Sequence, residues 1–184
     1  MTSTLRWTSA DLETFPNDGK RYEIIDGELF VSTQPHFYHQ DVCARIVTFL
    51  TNWSEQTKLG RAVIAPGLIF ADDNDVVPDV AWLSNDCLIR SLGSDGKLHS
   101  APDLVIEVLS PGSKNRRRDR EVKLSLYSRR GVLEYWIVDW SAQTIDIYRQ
   151  QNSKLDHFTT LIKGDLLQSP LLPGFSSELD ALFR

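Results

Sequence analysis

Cysteine, methionine and long apolar runs are all scarce in this sequence, and each scarcity narrows what the chain can be. Its 184 residues hold two cysteines and one methionine. Cys43 and Cys87 stand 44 positions apart without CxxC or CxxxH spacing, so neither a disulfide framework nor a structural zinc site has support, and a reducing cytoplasm is the expected compartment. No apolar run reaches the length of a membrane span before Asp, Lys or Gly breaks it, and residues 1–10 lack the apolar stretch of a signal peptide. A basic excess is missing too: the net charge is -5 and the isoelectric point about 5.3, which argues against a protein held on nucleic acid by bulk charge. Repeats, low-complexity tracts and Pro/Gly/Ser-rich linkers are absent, so a single domain spanning residues 1–184 is expected. What is present, 41% hydrophobic and 24% charged residues, suffices for an ordinary globular core.

The apolar pattern alternates between strand and helix periods. Residues 22–25 and 29–32 are short apolar runs around Asp26-Gly27, the signature of an N-terminal hairpin. Over residues 35–56, Val42, Ile46, Phe49, Leu50 and Trp53 recur at steps of three and four, which predicts an amphipathic helix closed by Gly60. Strands are predicted at 61–70, 76–83 and 104–109, the last apolar on both faces except at Glu107, as in a covered central strand. Residues 115–130 predict a second helix with Val122 and Leu126 inward, Ser113 or Asn115 as its cap and Gly131 at its end. Strands follow at 134–138 and 144–148, one or two weaker ones within 155–167, and a short helix at 177–183. This order implies an α/β or α+β fold, a mixed sheet flanked by helices, with a right-handed βαβ crossover from the 104–109 strand to the 134–138 strand.

Charge is unevenly distributed. Residues 113–130 carry eight basic residues and two acids, a local +6, so the rest of the chain carries -11. Within the apolar strands two carboxylates stand out, Asp79 and Glu107, and a carboxylate there is costly to bury unless paired, hydrogen-bonded or on a metal. Period-two alternation aims Glu107 with Val105 and Leu109, away from Ile106 and Val108. If the two strands are neighbours, an aspartate and a glutamate converge on one face, the hard-oxygen set that suits Mg²⁺ or Mn²⁺.

These residues resemble a known family. Val77-Pro78-Asp79 followed by Pro102-Asp103-Leu104-Val105-Ile106-Glu107-Val108-Leu109-Ser110-Pro111 is similar to the PD-(D/E)XK nuclease superfamily, in which an aspartate and a glutamate bind the metal. Residues 21–29, the Ile-Glu-Val-Leu-Ser-Pro segment, Asp119 with Lys123 and Tyr127, and residues 134–139 together resemble the Uma family of restriction endonucleases. The resemblance implies a restriction-endonuclease-like fold and a DNA-cleaving, metal-dependent activity. In the superfamily pattern a lysine follows the glutamate by two positions, and here that position is Leu109. The Uma resemblance implies a lysine from the next helix, where Lys123 matches, with Asp119 orienting it. Lys114 is the rival donor. The resemblance also implies Glu28 as a third acidic ligand, whereas Glu23 reads as structural.

Asp79, Glu107 and Lys123 are therefore the expected catalytic residues, with Asp79, Glu107 and Glu28 expected to hold Mg²⁺ or Mn²⁺. Lys123 has an equally ordinary reading as an i,i+4 partner of Asp119. His39 reads as a hydrogen-bonded, partly buried helix residue, the tryptophans as core, and Asp103 and Asp139 as turn caps. The basic run fits either a solvated helix face or a phosphate-contacting one. The function expected is a DNA endonuclease, with a homodimer suited to cutting both strands. The alternative is a catalytically inactive nuclease-fold module that binds nucleic acid or protein. Acid/base work on a sugar is weaker, because glycosidases need a cleft rich in exposed aromatics.

Overall fold

Asp26 and Gly27 both take positive φ, 51° and 76°, the conformation that a two-residue turn needs to match the twist of its strands. The elements in the computed structural model, which describes residues 5–184, run α1 (Ser9–Leu12), β1 (Arg21–Ile25), β2 (Glu28–Ser32), α2 (Phe37–Thr57), β3 (Gly60–Ile64), β4 (Leu68–Ala71), β5 (Asn74–Val76), β6 (Val80–Ser84), α3 (Asn85–Ser91) and β7 (Leu104–Val108). They continue with α4 (Ser113–Arg117), a π-helical turn (Arg118–Lys123), α5 (Leu124–Arg130), β8 (Glu134–Asp139), β9 (Thr144–Gln151), β10 (Lys154–Leu161), β11 (Leu166–Leu167), β12 (Ser177–Glu178) and a 3-10 turn (Leu179–Leu182).

The central sheet has the order β10-β9-β8-β7-β6-β3. Only β7 and β8 in it run parallel, joined by the helix over residues 113–130, and the other pairs are antiparallel. All five residues of β7 are buried, because both faces of the sheet are covered. On one face Val80, Trp82, Leu104, Ile106, Val108 and Trp136 pack against Val42, Ile46, Leu50 and Trp53 of α2. On the other, Ala81, Leu83, Val105, Leu109, Tyr135 and Ile137 pack against Leu126 and Tyr127 of α5 and against Ile25, Leu68 and Val76. Those last three belong to a second sheet, β2-β1-β5-β4. The mixed sheet flanked by helices is the expected class. Among the described residues no helix is long and apolar enough to cross a membrane.

Several element boundaries differ from the sequence reading, each for a local reason. The predicted 61–70 strand is two strands in different sheets, broken where Ala65 takes φ 47° ahead of Pro66-Gly67. The 76–83 strand is likewise β5 and β6, parted at Pro78, which has no N–H to give a ladder. Lys58, not Gly60, closes α2 in the left-handed conformation. The second helix starts on Gly112, with no side-chain cap from Ser113 or Asn115. Residues 177–183 form a two-residue strand and a 3-10 turn in place of a helix.

Gly60 instead serves close packing: a Cβ there would lie 2.2 Å from the Leu83 carbonyl oxygen and 2.5 Å from the Trp82 ring. Gly131 has open space around it and a φ of 87°. Gly60→Ala is therefore expected to cost about 2–3 kcal/mol through backbone displacement, against about 1 kcal/mol for Gly131→Ala from its left-handed φ alone. Urea unfolding of the two variants checks the order.

Candidate active site

The site forms where β6 and β7 meet the inner strand of the hairpin. β6 and β7 pair antiparallel with Val80 opposite Ile106, so one step further Asp79 stands opposite Glu107. Asp79 lies just ahead of β6, in the break made by Pro78, and its backbone carbonyl accepts from the Ala65 N–H at 2.9 Å. Its carboxylate is almost fully buried and fully employed. Oδ1 accepts from the Arg21 guanidinium at 3.0 Å. Oδ2 accepts from the Val108 N–H at 2.9 Å and lies 3.1 Å from His39 Nε2. Burial would raise its pKa, but the His39 contact and the positive charges of Lys123 and Arg21 outweigh burial and hold Asp79 below the usual carboxylate range.

Glu107 projects from β7 toward the helix over residues 113–130, on the face shared with Val105 and Leu109. Its Oε1 accepts from Lys123 Nζ at 2.9 Å and from the Tyr127 hydroxyl at 2.8 Å. The same Lys123 ammonium lies 2.7 Å from Oε1 of Glu23 on β1, and that oxygen also accepts from the Val77 N–H at 2.9 Å. Lys123 is wholly buried. Burial alone would lower its pKa, but Glu107 and Glu23 outweigh it and keep the ammonium charged. Burial pushes Glu107 up to about 8, with the negative charges of Asp79, Asp119 and Glu23 adding to it and Lys123 opposing. Glu23 goes the other way: Lys123 and Arg118 overcome its burial.

The π turn explains why Asp119 does not orient Lys123 as the i,i+4 spacing predicts. In a π turn it is the fifth residue, not the fourth, that returns to the partner position, so the two side chains part. Asp119 pairs with the Arg118 guanidinium at 3.0 Å, and its backbone carbonyl accepts from the Tyr135 hydroxyl at 3.0 Å. Its other carboxylate oxygen, Oδ2, is buried without a partner, and burial raises its pKa against the pull of Lys123 and Arg118. Lys123 is oriented by Glu23 and Glu107 instead.

The structure thus brings Asp79, Glu107 and Lys123 into one buried group. Glu28 is not in it: that residue is exposed at the turn end of the edge strand β2, while Glu23, on the inner strand β1, takes the place expected of it. His39 is also in the group, which its partly buried helical position alone did not indicate; its i,i+4 spacing to Cys43 was the available signal. The His39 Nδ1 lies 3.7 Å from Cys43 Sγ, so a thiol S–H to Nδ1 and an Nε2–H to Asp79 give every atom of the chain a partner. Ligand atoms of His39, Cys43 and Asp79 lie within 4.8 Å of one another. Burial, with the charges of Asp79 and Glu107, pushes the Cys43 thiol far up, which keeps it a thiol rather than the thiolate that a soft metal requires.

The oxygen donors fit a hard divalent ion better. Glu107 Oε2 receives no protein donor among the described residues, Asp119 Oδ2 is orphaned, and four buried carboxylates (Glu23, Asp79, Glu107, Asp119) face three fixed cations (Arg21, Arg118, Lys123). Burial is the larger cause that drives Glu107 and Asp119 toward holding protons, with the neighbouring carboxylates adding to it, and a bound cation would offset the same cost. A cavity of about 390 Å³ opens beside the group, with Arg21, His39, Asp79 and Arg118 in its wall, while Glu107 and Lys123 are buried behind it.

Most of the basic run is engaged in ion pairs, several of them at the surface. Arg116 pairs with Asp139 and Arg120 with Asp146, each at 2.6 Å, Arg117 with Glu121 at 3.0 Å, and Arg129 with Asp26. Among the described residues only Lys114 and Arg130 of the run lack an ion pair. Asp139 caps the turn after β8 through the Ser141 and Ala142 N–H groups, and Asp103 accepts from the Ser84 N–H.

Comparison with known proteins agrees with this architecture. The model of the Uma2 family, described as "Putative restriction endonuclease", matches residues 9–181. A crystal structure described as a "putative nuclease belonging to DUF820" from Anabaena variabilis superposes with a TM-score of 0.75 at 20% identity, covering 96% of this chain and 97% of that one, and so shares the fold. The type IIG restriction endonuclease BpuSI aligns with a TM-score of 0.43 at 14% identity, covering 79% of this chain and 15% of its own. No curated protein matches the chain.

Two outcomes follow from the buried charges. Lys123→Met leaves Glu107 without an ion pair and Glu23 with Arg118 alone, at 3.7 Å, and is expected to cost roughly 3–5 kcal/mol, part of which Glu107→Gln in the same chain restores; a double-mutant cycle by denaturant unfolding measures the coupling. Glu107, with its folded pKa raised from 4.5 to about 8, retains a proton that the unfolded chain has already released. Its contribution to stability is therefore complete below the lower value and lost as the pH rises through the upper one. Between about pH 4.5 and pH 8 the parent should lose stability relative to Glu107→Gln, by of order 1 kcal/mol per pH unit, as followed by thermal unfolding.

Proposed function

Because the chain belongs to the Uma2 family, we propose that it is a metal-dependent nuclease that hydrolyses phosphodiester bonds of DNA at the Asp79–Glu107–Lys123 group. The observation that carries this reading is the Lys123 ammonium, buried against Glu107 and Glu23, next to Asp79, which stands opposite Glu107 and lines an open cavity. An ammonium buried at that cost makes sense where negative charge is to be received or developed.

Asp79 and Glu107 are the residues that would hold Mg²⁺ or Mn²⁺, with Glu23 in the supporting position first expected of Glu28. A divalent ion held there would supply an activated water and would offset charge on the phosphate. The chain's own residues do the rest. Lys123 holds Glu107 Oε1 in place and sets a fixed positive charge behind the carboxylates that would hold the ion. Tyr127, whose hydroxyl burial and Glu107 keep protonated, donates to the same oxygen and leaves Oε2 as the free donor. His39 and the Val108 N–H fix Asp79 Oδ2. Arg21 and Arg118, at the cavity wall, are placed to receive the non-bridging phosphate oxygens. Two copies acting together would suit cleavage of both strands.

A second reading has one observation in its favour: both Asp79 oxygens and the Lys123 ammonium are already satisfied within the protein. A chain that kept the fold but lost turnover, binding nucleic acid or protein instead, would show the same arrangement. Metal separates the two. Calorimetric titration with Mn²⁺ should show binding that Asp79→Asn weakens, and nicking of plasmid or cleavage of single-stranded circular DNA in Mg²⁺ or Mn²⁺ should stop with EDTA and fall at least about 100-fold in Glu107→Gln. Unchanged cutting by Glu107→Gln would sink the nuclease assignment, and Mn²⁺ binding without cutting would favour the noncatalytic module.

A further inference from the structure

His36 and Tyr38, exposed at the start of α2, stand against Trp140, which follows β8 and is half-buried against the core. His36 stacks on Trp140 with centroids 4.8 Å apart and planes 13° apart. Tyr38 lies 5.6 Å from His36 at 27° and 5.5 Å from Trp140 at 35°. Phe37, 74% exposed, meets Tyr38 edge-on, and Tyr38 is itself 55% exposed. Exposed aromatics gathered in this way cost free energy in water unless something covers them. Their position indicates what does.

The cluster is tied to the candidate active site from two sides. Pro35, His39 and Gln40, flanking these residues on the same stretch of chain, line the cavity over Asp79, within one helical turn of His36. On the other side the Trp140 indole N–H donates to the Leu109 carbonyl at 3.0 Å, two residues beyond Glu107. A second cavity, of about 400 Å³, opens between Tyr38 and Trp140, and Ser141 and Gln143 supply polar groups at its wall. The cavity over Asp79 is lined by Lys20, Arg21 and Arg118 besides Asp79, the cations being paired with Asp18, Asp79 and Asp119 in turn. Cationic side chains near the exposed His36 and Tyr38 rings form a surface that can take a polyanion carrying flat π-faces.

We propose that His36, Tyr38 and Trp140 form a stacking platform for unpaired nucleobases, and that the substrate reaching the Asp79 cavity is therefore single-stranded DNA. In a duplex the base faces are already stacked on one another, so a platform beside the site is of use only to a strand whose bases are free. The inference rests on the cavity being a nucleic-acid site, and it extends that reading by naming the form of the substrate. Tyr38 and His36 are binding residues in this scheme, and the platform also fixes the direction from which the strand approaches Glu107.

The test is a binding measurement on the full chain in EDTA, so that cleavage plays no part. Fluorescence anisotropy is read with a labelled single-stranded oligodeoxynucleotide, the corresponding duplex, and an abasic strand of equal length. The single strand should bind at least about tenfold more tightly than either of the others, and Tyr38→Ala should weaken it by about 5- to 100-fold while leaving the abasic strand unaffected. The largely exposed Tyr38 side chain makes misfolding of that variant easy to exclude by an unchanged melting temperature, and Phe37→Ala provides a neighbouring control. Equal binding of all three ligands, no binding of any, or no effect of Tyr38→Ala overturns the platform. Loss of self-association in Tyr38→Ala with unchanged oligonucleotide binding overturns it as well, by showing that a second copy of the chain covers the rings. Because cleavage is not measured, failure here leaves the Glu107→Gln nicking result standing, and failure of nicking leaves this result standing.

Discussion

A single buried ammonium group ties the molecule together. Lys123 Nζ sits between Glu23 of the hairpin sheet and Glu107 of the central sheet, 2.7 and 2.9 Å from their carboxylates, while its own backbone belongs to the helix joining β7 to β8. Three stretches of chain, roughly a hundred residues apart at the extremes, thus share one charge contact. The lysine is tolerable there only with the glutamates around it, since a charge removed from water must find its compensation on the spot. The docking of the two sheets and the integrity of the candidate active site are for this reason one constraint and not two.

Much of this frame is legible in the sequence. The apolar stripe of α2, the hairpin at Asp26-Gly27 and the lone carboxylate of an otherwise apolar β7 follow from periodicity and turn chemistry, and the pairing of β6 with β7 makes Asp79 and Glu107 converge as their alternation implies. The choice between Glu23 and Glu28 does not follow. Glu23 and Glu28 lie on adjacent strands and share a face by alternation, so parity cannot separate them. What separates them is that β1 is an inner strand and β2 an edge strand of a sheet completed by β5, some fifty residues later. Long-range pairing decides that, and local pattern carries no trace of it. The split of the 61–70 and 76–83 runs between two sheets escaped for the opposite reason: Pro66-Gly67 and Pro78 were visible breakers, and the apolar residues around them outweighed them.

The π turn is the second feature that sequence spacing conceals. Residues 119, 123 and 127 at i, i+4 and i+8 read as one α-helical stripe, and an α-helix would set Asp119 against Lys123. The wider turn frees Lys123 from that local partner and lets it point across to β1 and β7, while Tyr135 takes up the Asp119 backbone carbonyl. Leu109, at the position where a strand-borne lysine would stand, is buried in the core against this same helix. An ammonium carried by the helix and one carried by the strand are alternative solutions to placing a cation beside Glu107, and the apolar Leu109 is the packing counterpart of the helix-borne one.

Charge placement has a wider consequence for how a polyanion could be held. The +6 run over residues 113–130 looks like a phosphate-binding helix in one dimension, yet in three its arginines reach Asp26, Asp139 and Asp146, each contributed by a distant part of the chain. The run balances acids from the remainder of an acidic protein. Affinity that grows with the number of phosphates neutralised needs cations free to release counterions, and few remain unpaired here. A nucleic acid bound by this surface must draw on what is still available next to Asp79: the cavity guanidiniums, which already lean toward carboxylates, and the aromatic rings of His36, Tyr38 and Trp140. Contacts of the second kind are far less sensitive to salt than ion pairs and require bases exposed for stacking. The internal neutralisation of the basic helix and the exposed aromatic cluster therefore point in the same direction, toward recognition of bases more than of backbone charge.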